Sequence, residues 1–173
     1  MTEQKGMRVV EGTGRDVGPV WDMLQRCRVA LDAEGIHQWD DIYPTRAIVE
    51  KDVRRGALFV LEDDGRCVAS VALDERQAKE YRSVVWTGAE PVLVVHRLCV
   101  DPMAQGRGLA HQLMDYAEQY AVRHGYASVR LDAYSGNPRS VRLYRRRGYR
   151  EAGQLFFPRR PLPFHLFELH LAP

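Results

Sequence analysis

Residues 100–110 read Val100-Asp101-Pro102-Met103-Ala104-Gln105-Gly106-Arg107-Gly108-Leu109-Ala110. The segment follows an apolar run and opens a long amphipathic one, so it predicts a strand, a glycine-rich turn and a helix in succession. Such a turn points several backbone N–H groups the same way, at the positive end of the helix dipole. The sequence therefore predicts a binding site for a phosphate or pyrophosphate group.

The residues that follow Gly108 separate this turn from two other phosphate-binding motifs. A P-loop ends in Gly-Lys-Ser/Thr, but the chain continues Leu109-Ala110-His111,. A dinucleotide-binding fingerprint counted from Gly106 needs Gly or Ala where His111 stands,. Taken alone, the turn is either another kind of phosphate cradle or a glycine-rich start to a helix.

Composition predicts one globular domain over residues 1–173, because 45% of the residues are hydrophobic and the chain is long enough for a substantial core,. No apolar run approaches the roughly 20 residues of a membrane span. Residues 1–6 are polar and lack the core of a signal peptide,. Cys27, Cys67 and Cys99 are widely spaced in apolar patterns, which favours reduced core thiols over a disulfide or metal site,. We therefore expect a cytoplasmic protein with no membrane association and no metal.

The charge is small but uneven. A net charge of +2 does not indicate a nucleic-acid partner, and we expect none,. Between Arg139 and Arg160, however, lie eight arginines and one acid, Glu151. This stretch is either a solvated helix face or a surface that contacts ligand phosphates or an acidic partner. Steeply salt-dependent binding to RNA or DNA would instead support a nucleic-acid-associated protein.

Hydrophobic periodicity predicts the order β-α-α-β-β-β-α-β-α-β-β, which is a mixed α/β (α+β) sheet of about seven strands flanked by about four helices. Asp64-Gly65 predicts a type I′ hairpin turn, and Asn137-Pro138 predicts a helix start that ends at Gly148,. The predicted strands are 7–11, 57–61, 67–73, 92–100, 128–133, 149–156 and 164–171, and the other predicted helices are 16–33, 45–55 and 106–124.

Two motifs, in the expected order, resemble those of the GNAT superfamily of N-acetyltransferases over nearly the whole chain. Gln105-x-x-Gly108-x-Ala110 fits the family pattern Gln/Arg-x-x-Gly-x-Gly/Ala, with alanine where glycine is commoner. Asn137-x-x-Ser140-x-x-Leu143-Tyr144-x-x-x-Gly148-Tyr149 looks like the family's Asn…Leu-Tyr-x-x-x-Gly-Phe/Tyr segment. Gly35-Ile36-x-Gln38-Trp39…Tyr43-Pro44 and His96-Arg97-Leu98 resemble a bacterial subgroup whose substrates are mostly unassigned.

The resemblance implies acetyl-CoA as co-substrate. The backbone of Gln105, Gly106, Arg107, Gly108, Leu109 and Ala110 would bind its pyrophosphate. The main chain of Leu98 and Val100 would pair with the pantetheine arm as with a neighbouring strand, which requires the fourth and fifth strands to splay apart. Asn137 would contact the coenzyme while capping its helix, although capping alone explains an asparagine there.

The same resemblance implies catalytic roles. Tyr144 is the candidate general acid, because a phenol is protonated at neutral pH and can protonate a leaving thiolate. His96 is the candidate base, on the same side-chain parity as Leu98 and Val100. Asp132, near the end of the fifth strand, is the second candidate. A core tyrosine, a structural histidine and an ordinary strand-end acid are the competing interpretations.

The substrate side is expected in the loop from Gly35 to Pro44. Acids in and beside it would attract a cationic amine, although helix-end solvation explains them equally: Asp32, Glu34, Asp40 and Asp41,. Four aromatic residues are candidates for the acceptor pocket, or for packing at the rim of the core: Trp39, Tyr43, Tyr81 and Trp86,.

These observations predict an acetyl-CoA-dependent N-acetyltransferase that acts on a small-molecule or peptide amine by direct transfer in a ternary complex. No cysteine lies in either motif, which argues against an acyl-enzyme. The alternative is a non-catalytic acyl-CoA-binding or regulatory module of the same fold. The apolar strand predicted at 164–171 makes a homodimer possible.

Overall fold

The computed structural model describes residues 6–172, so the first five residues of the polar N-terminal segment lie outside the described part of the chain. The strands are β1 (Arg8–Glu11), β2 (Leu58–Asp63), β3 (Arg66–Asp74), β4 (Val92–Val100), β5 (Ser128–Tyr134), β6 (Arg150–Leu155) and β7 (Phe164–His170). The α-helices are α1 (Val17–Ala33), α2 (Arg46–Arg54), α3 (Leu109–Arg123) and α4 (Pro138–Arg146). A short 3-10 helix at Lys79–Ser83 was not predicted.

Local signals set several of these boundaries. Asp64 and Gly65 both have positive φ, 50° and 79°, as a type I′ hairpin between β2 and β3 requires,. Thr45 caps α2 by accepting a hydrogen bond from the Ile48 N–H at 3.3 Å,. Asn137 caps α4 in the same way, through the Ser140 N–H at 3.4 Å.

The seven strands form one sheet in the order β1-β2-β3-β4-β5-β7-β6. All neighbours are antiparallel except β4 and β5, which are parallel. The β4–β5 register ends at the pair Val94 and Arg130, although both strands continue. The fold class and the splay between the fourth and fifth strands are therefore confirmed.

The helices cover the two faces of the sheet. Leu113, Met114 and Ala117 of α3 pack on one face against core residues that include Leu93, and α1 packs on the other face through residues such as Met23. Within residues 6–172, no helix is both long and apolar enough to cross a membrane.

A β-bulge in β4 reverses the predicted side-chain parity. Ala72 is opposite His96, but Ser70 is opposite Cys99, so two residues of β4 face one of β3. Arg97, at the bulge, has a left-handed φ of 49°,. His96 therefore lies on the same face as Cys99, and the expectation that it shares a face with Leu98 and Val100 is wrong.

A buried ion pair fastens β5 to β7. Arg130 Nε donates to Glu168 Oε1 at 3.1 Å, and both side chains are at most 5% exposed. Burial acts to raise the pKa of Glu168, but hydrogen bonds from His170, the Thr87 N–H and Arg130 hold that pKa below its usual range,. The pair therefore keeps its charge well into the acid range.

Candidate active site

The turn after β4 is held by Asp101. Its Oδ1 accepts a hydrogen bond from the Met103 N–H at 3.0 Å, and its Oδ2 accepts one from Arg26 at 2.5 Å. Burial acts to raise the pKa of Asp101, but the bond from Arg26 lowers it below its usual value. The carboxylate therefore stays ionised and fixes the chain just before the glycines.

Gly106 and Gly108 have φ values of 80° and 74°, where an L side chain is strained,. A Cβ at either position would meet open space, so the need for glycine is conformational. Gly108 is the N-cap of the 15-residue helix α3 and offers no side-chain cap to its first N–H groups,. The backbone of residues 105–110 is thus free to bind an anion at a helix start.

The side chains of this turn are occupied elsewhere. Arg107 forms an ion pair with Asp63 at 2.8 Å, and Leu109 is buried in the core. Gln105 donates to the Val100 carbonyl at 3.5 Å, and Cys27 donates to the same oxygen at 3.2 Å. Any anion at this turn would therefore be held chiefly by main-chain groups.

A cavity of about 400 Å³ lies beside the splay. Seven of the residues predicted from the sequence line it together: Trp39, Tyr43, Tyr81, His96, Leu98, Asp132 and Tyr144. Val100 and the turn 105–110 lie outside the lining. Asn137 is adjacent, because its side-chain amide donates to Gln38, a lining residue, at 2.9 Å.

Tyr144, on α4, is buried and faces this cavity. Burial raises its pKa well above that of a free phenol, and the charge of Asp132 adds to the rise,. The hydroxyl therefore keeps its proton throughout the physiological range. Tyr144 can therefore donate a hydrogen bond into the cavity that it lines.

His96 is oriented by a carboxylate that the sequence did not point to. Its Nε2 lies 2.9 Å from Asp74 Oδ1, and Asp74 is itself held by the Arg76 side chain at 2.6 Å. Because a carboxylate only accepts hydrogen bonds, this contact requires the proton on Nε2 and leaves the lone pair of the neutral ring on Nδ1.

Asp132 accepts a hydrogen bond from the Tyr81 hydroxyl at 2.7 Å. Burial raises the pKa of Asp132, and the Tyr81 bond and the nearby His96 and Arg97 only partly offset that rise. A carboxyl group in this environment can hold or release a proton closer to neutrality than a free aspartate.

Trp86 does not line the cavity, contrary to expectation. Its ring packs 5.3 Å from Tyr81 and 4.4 Å from the Arg130 guanidinium, and its N–H donates to the Tyr81 carbonyl. Its place is behind the cavity wall, where it supports Tyr81 and the Arg130–Glu168 pair.

Two of the four acids in and beside the α1–α2 loop, Glu34 and Asp40, form ion pairs with arginines, so the structure weakens the expected negative surface. Asp32 contacts His37 at 2.9 Å, and Glu34 contacts Arg139 at 3.0 Å. Asp40 accepts hydrogen bonds from both Arg159 and Arg160. The arginine-rich stretch is visible in the sequence, but nothing local in it indicates that Arg159 and Arg160 face this loop.

Comparison with known proteins gives a consistent picture. Residues 20–149 match the Acetyltransferase (GNAT) family. The S-(2-succino)cysteine N-acetyltransferase of Bacillus subtilis (strain 168) is 27% identical over 109 residues. That match spans 62% of this chain and only 62% of the length of the curated relative.

Two solved structures illustrate the shared fold. A GNAT-family acetyltransferase from Streptococcus agalactiae superimposes with a TM-score of 0.82 at 19% identity, covering 98% of both chains. The Salmonella typhimurium protein yncA, determined with its cofactor acetyl-CoA, gives a TM-score of 0.70 at 18% identity and covers 96% of this chain and 95% of that one. With residues 20–149 matched by the family and the whole fold shared, the chain belongs to the GNAT family of acetyltransferases.

Proposed function

We propose that this protein transfers the acetyl group of acetyl-CoA to an amine by direct transfer in a ternary complex. One observation carries the proposal: the sheet opens after Val94 beside a cavity that Tyr144, His96 and Asp132 all line. A proton donor and two candidate proton acceptors thus meet where two parallel strands separate.

The coenzyme end of the site is the opening together with the turn after β4. Beyond Val94, β4 no longer pairs with β5, so main-chain groups on that side, including those of Leu98, are available to the amides of a pantetheine arm,. The Val100 carbonyl already accepts from Gln105 and Cys27, so Val100 would pair through its N–H. The uncapped backbone around Gly106 and Gly108 would bind the pyrophosphate,. The acetyl-CoA complex of the Salmonella relative supports this choice of co-substrate.

The cavity supplies what amide formation needs. His96 takes a proton from the ammonium form of the acceptor, directly or through water, with Asp132 as the second candidate. The amine nitrogen attacks the thioester carbonyl carbon, and a backbone N–H of β4 stabilises the oxyanion. As the C–S bond breaks, negative charge gathers on sulfur and Tyr144 gives it a proton. The attacking nitrogen then loses its second proton as the amide forms, and this proton restores the Tyr144 hydroxyl.

Two findings favour an amine acceptor and direct transfer. The Bacillus relative is named as an N-acetyltransferase. The cavity lining includes no cysteine among residues 6–172, and Cys99 is buried in the core, so no thiol stands ready to form an acyl-enzyme.

The test is acetyl-CoA consumption, read as released thiol, over a panel of amines, amino acids and peptide N-termini, with acetyl-CoA binding measured by calorimetry. We expect binding together with acetylation of at least one amine class. Binding without any acetylation would support a non-catalytic acyl-CoA-binding module instead. Absence of binding would refute the proposed coenzyme site.

A further inference from the structure

We propose that the acceptor is an amine that also carries a carboxylate, and that Arg159 binds this carboxylate as a specificity-determining residue. The inference rests on the proposed acetyl transfer only for the place of the amine. It concerns the part of the cavity where the α1–α2 loop meets the β6–β7 loop.

Positive charge exceeds negative charge in that part of the cavity. Arg159 and Arg160 both line it, and both donate to the single carboxylate of Asp40. The third lining arginine, Arg97, is already paired with Asp52 at 2.5 Å. One guanidinium charge therefore remains uncompensated where Arg159 and Arg160 meet Asp40.

The hydrogen-bonding capacity points to Arg159 rather than Arg160. Arg160 donates through one terminal nitrogen to the His37 carbonyl at 2.8 Å and through the other to Asp40, and its side chain is only 9% exposed. Arg159 donates to Asp40 through Nε at 3.1 Å, and its side chain is 47% exposed. Within the described chain its two terminal nitrogens have no hydrogen-bond partner, which leaves free the pair of donors that matches a carboxylate.

A turn sets the position of Arg159. The Arg160 N–H donates to the Phe157 carbonyl at 3.3 Å, and Arg159, inside that turn, has a φ of 63°,. The turn thereby places Arg159 and Arg160 side by side in the cavity lining, opposite Asp40.

Other elements supply the opposite charge. Asp132 of β5 and Glu80 of the 3-10 helix line the cavity, and Glu80 has no ion-pair partner among residues 6–172. An ammonium group beside Asp132 and His96 would be attracted there, near the proposed acetyl position. The lining thus presents negative groups that would attract an amine and a free guanidinium that would bind a carboxylate. These charges are complementary to those of an amino acid.

The experiment compares free L-amino acids with their own carboxamides, which keep the amine and the side chain but lose the negative charge. Calorimetric binding in the presence of coenzyme A and acetylation rates with acetyl-CoA are measured for each pair. We expect the best amino acid to exceed its amide by about tenfold or more. In Arg159→Gln the ratio of amino acid to amide should fall to near one. Arg142→Gln, which changes an exposed side chain on α4, should keep the wild-type ratio.

The outcomes separate this inference from the proposed function. The inference would be overturned if the carboxamides bind as well as or better than the amino acids, or if neither binds. An acid-to-amide ratio in Arg159→Gln equal to that of the wild type would overturn it as well. Selective binding of amino acids without acetylation would leave the inference standing and count against the proposed function. Acetylation of amines with no preference for a carboxylate would overturn the inference and support the proposed function.

Discussion

The hydroxyl of Tyr144 gives the sharpest test of the proposed chemistry. Replacing Tyr144 by phenylalanine removes one oxygen and keeps the ring contacts with Tyr149 and Phe167, whose ring centroids lie 5.9 and 6.0 Å away. Because the free protein holds this hydroxyl in the cavity wall, its loss should remove proton donation without disturbing the core.

The size of the effect follows from that placement. Loss of a positioned general acid lowers turnover by about 10²–10⁴-fold, or roughly 3–5 kcal/mol in the barrier. The raised pKa makes proton transfer uphill until charge collects on the sulfur, so the interaction belongs to the transition state and KM for acetyl-CoA should stay within about twofold,. The substitution breaks no protein hydrogen bond that stabilises the fold, so Tm should move by no more than about 2 °C.

The assay is steady-state thiol release with the amine acceptor held at saturation, together with a thermal melt. Tyr149→Phe is the matched control, because it removes the same atom from a neighbouring buried tyrosine that does not line the cavity, and its kcat should equal that of the wild type. Turnover of Tyr144→Phe within about threefold of the wild type would refute the general-acid role. A large drop in Tm would show instead that the hydroxyl acts in folding.

Further predictions concern the base, the turn and acid stability. His96→Gln should lower kcat/KM by about 10²-fold or more while Asp132→Asn changes it far less; the opposite result would make Asp132 the base. Gly108→Ala should raise KM for acetyl-CoA severalfold and lower stability by about 1 kcal/mol, since φ is +74° there, and unchanged values in kinetics and urea unfolding would contradict the conformational argument,. The lowered pKa of Glu168 contributes stability that is present above the unfolded value of about 4.3 and is lost as pH falls through the folded one,. Glu168→Gln should remove that acid sensitivity and cost about 3 kcal/mol at neutral pH, because buried Arg130 would keep only its 3.7 Å contact with the exposed carboxylate of Glu90, as urea unfolding across the pH range would measure,.

Signals that act over a few residues predicted most of the fold. The Asp64-Gly65 turn, the Thr45 and Asn137 caps and the strand at 92–100 depend on neighbouring residues, and the structure has each of them. The β4 bulge was not predictable in this way, because it depends on how β4 aligns with β3. The face to which His96 belongs could therefore not be counted from parity alone.

The residues of the candidate site were likewise predictable only where the signal is local in the sequence. Residues within the two motifs, such as Tyr144, were found because the motifs themselves are local. Asp74 beneath His96 and Arg159 beside Asp40 lie 22 and 119 positions from their partners, and only the folded chain brings those pairs together. The sequence alone suggested a negative loop, whereas the structure pairs two of its four acids, Glu34 and Asp40, with arginines that are distant in the sequence.

The early end of β4–β5 pairing would make the stability of the protein depend on the proposed co-substrate. If acetyl-CoA takes the place of the missing strand contacts, it binds the native state and not the unfolded one. At a concentration 100 times its dissociation constant it would add about 2.7 kcal/mol to the free energy of unfolding. The protein would then resist unfolding and proteolysis better with the proposed co-substrate bound than without it.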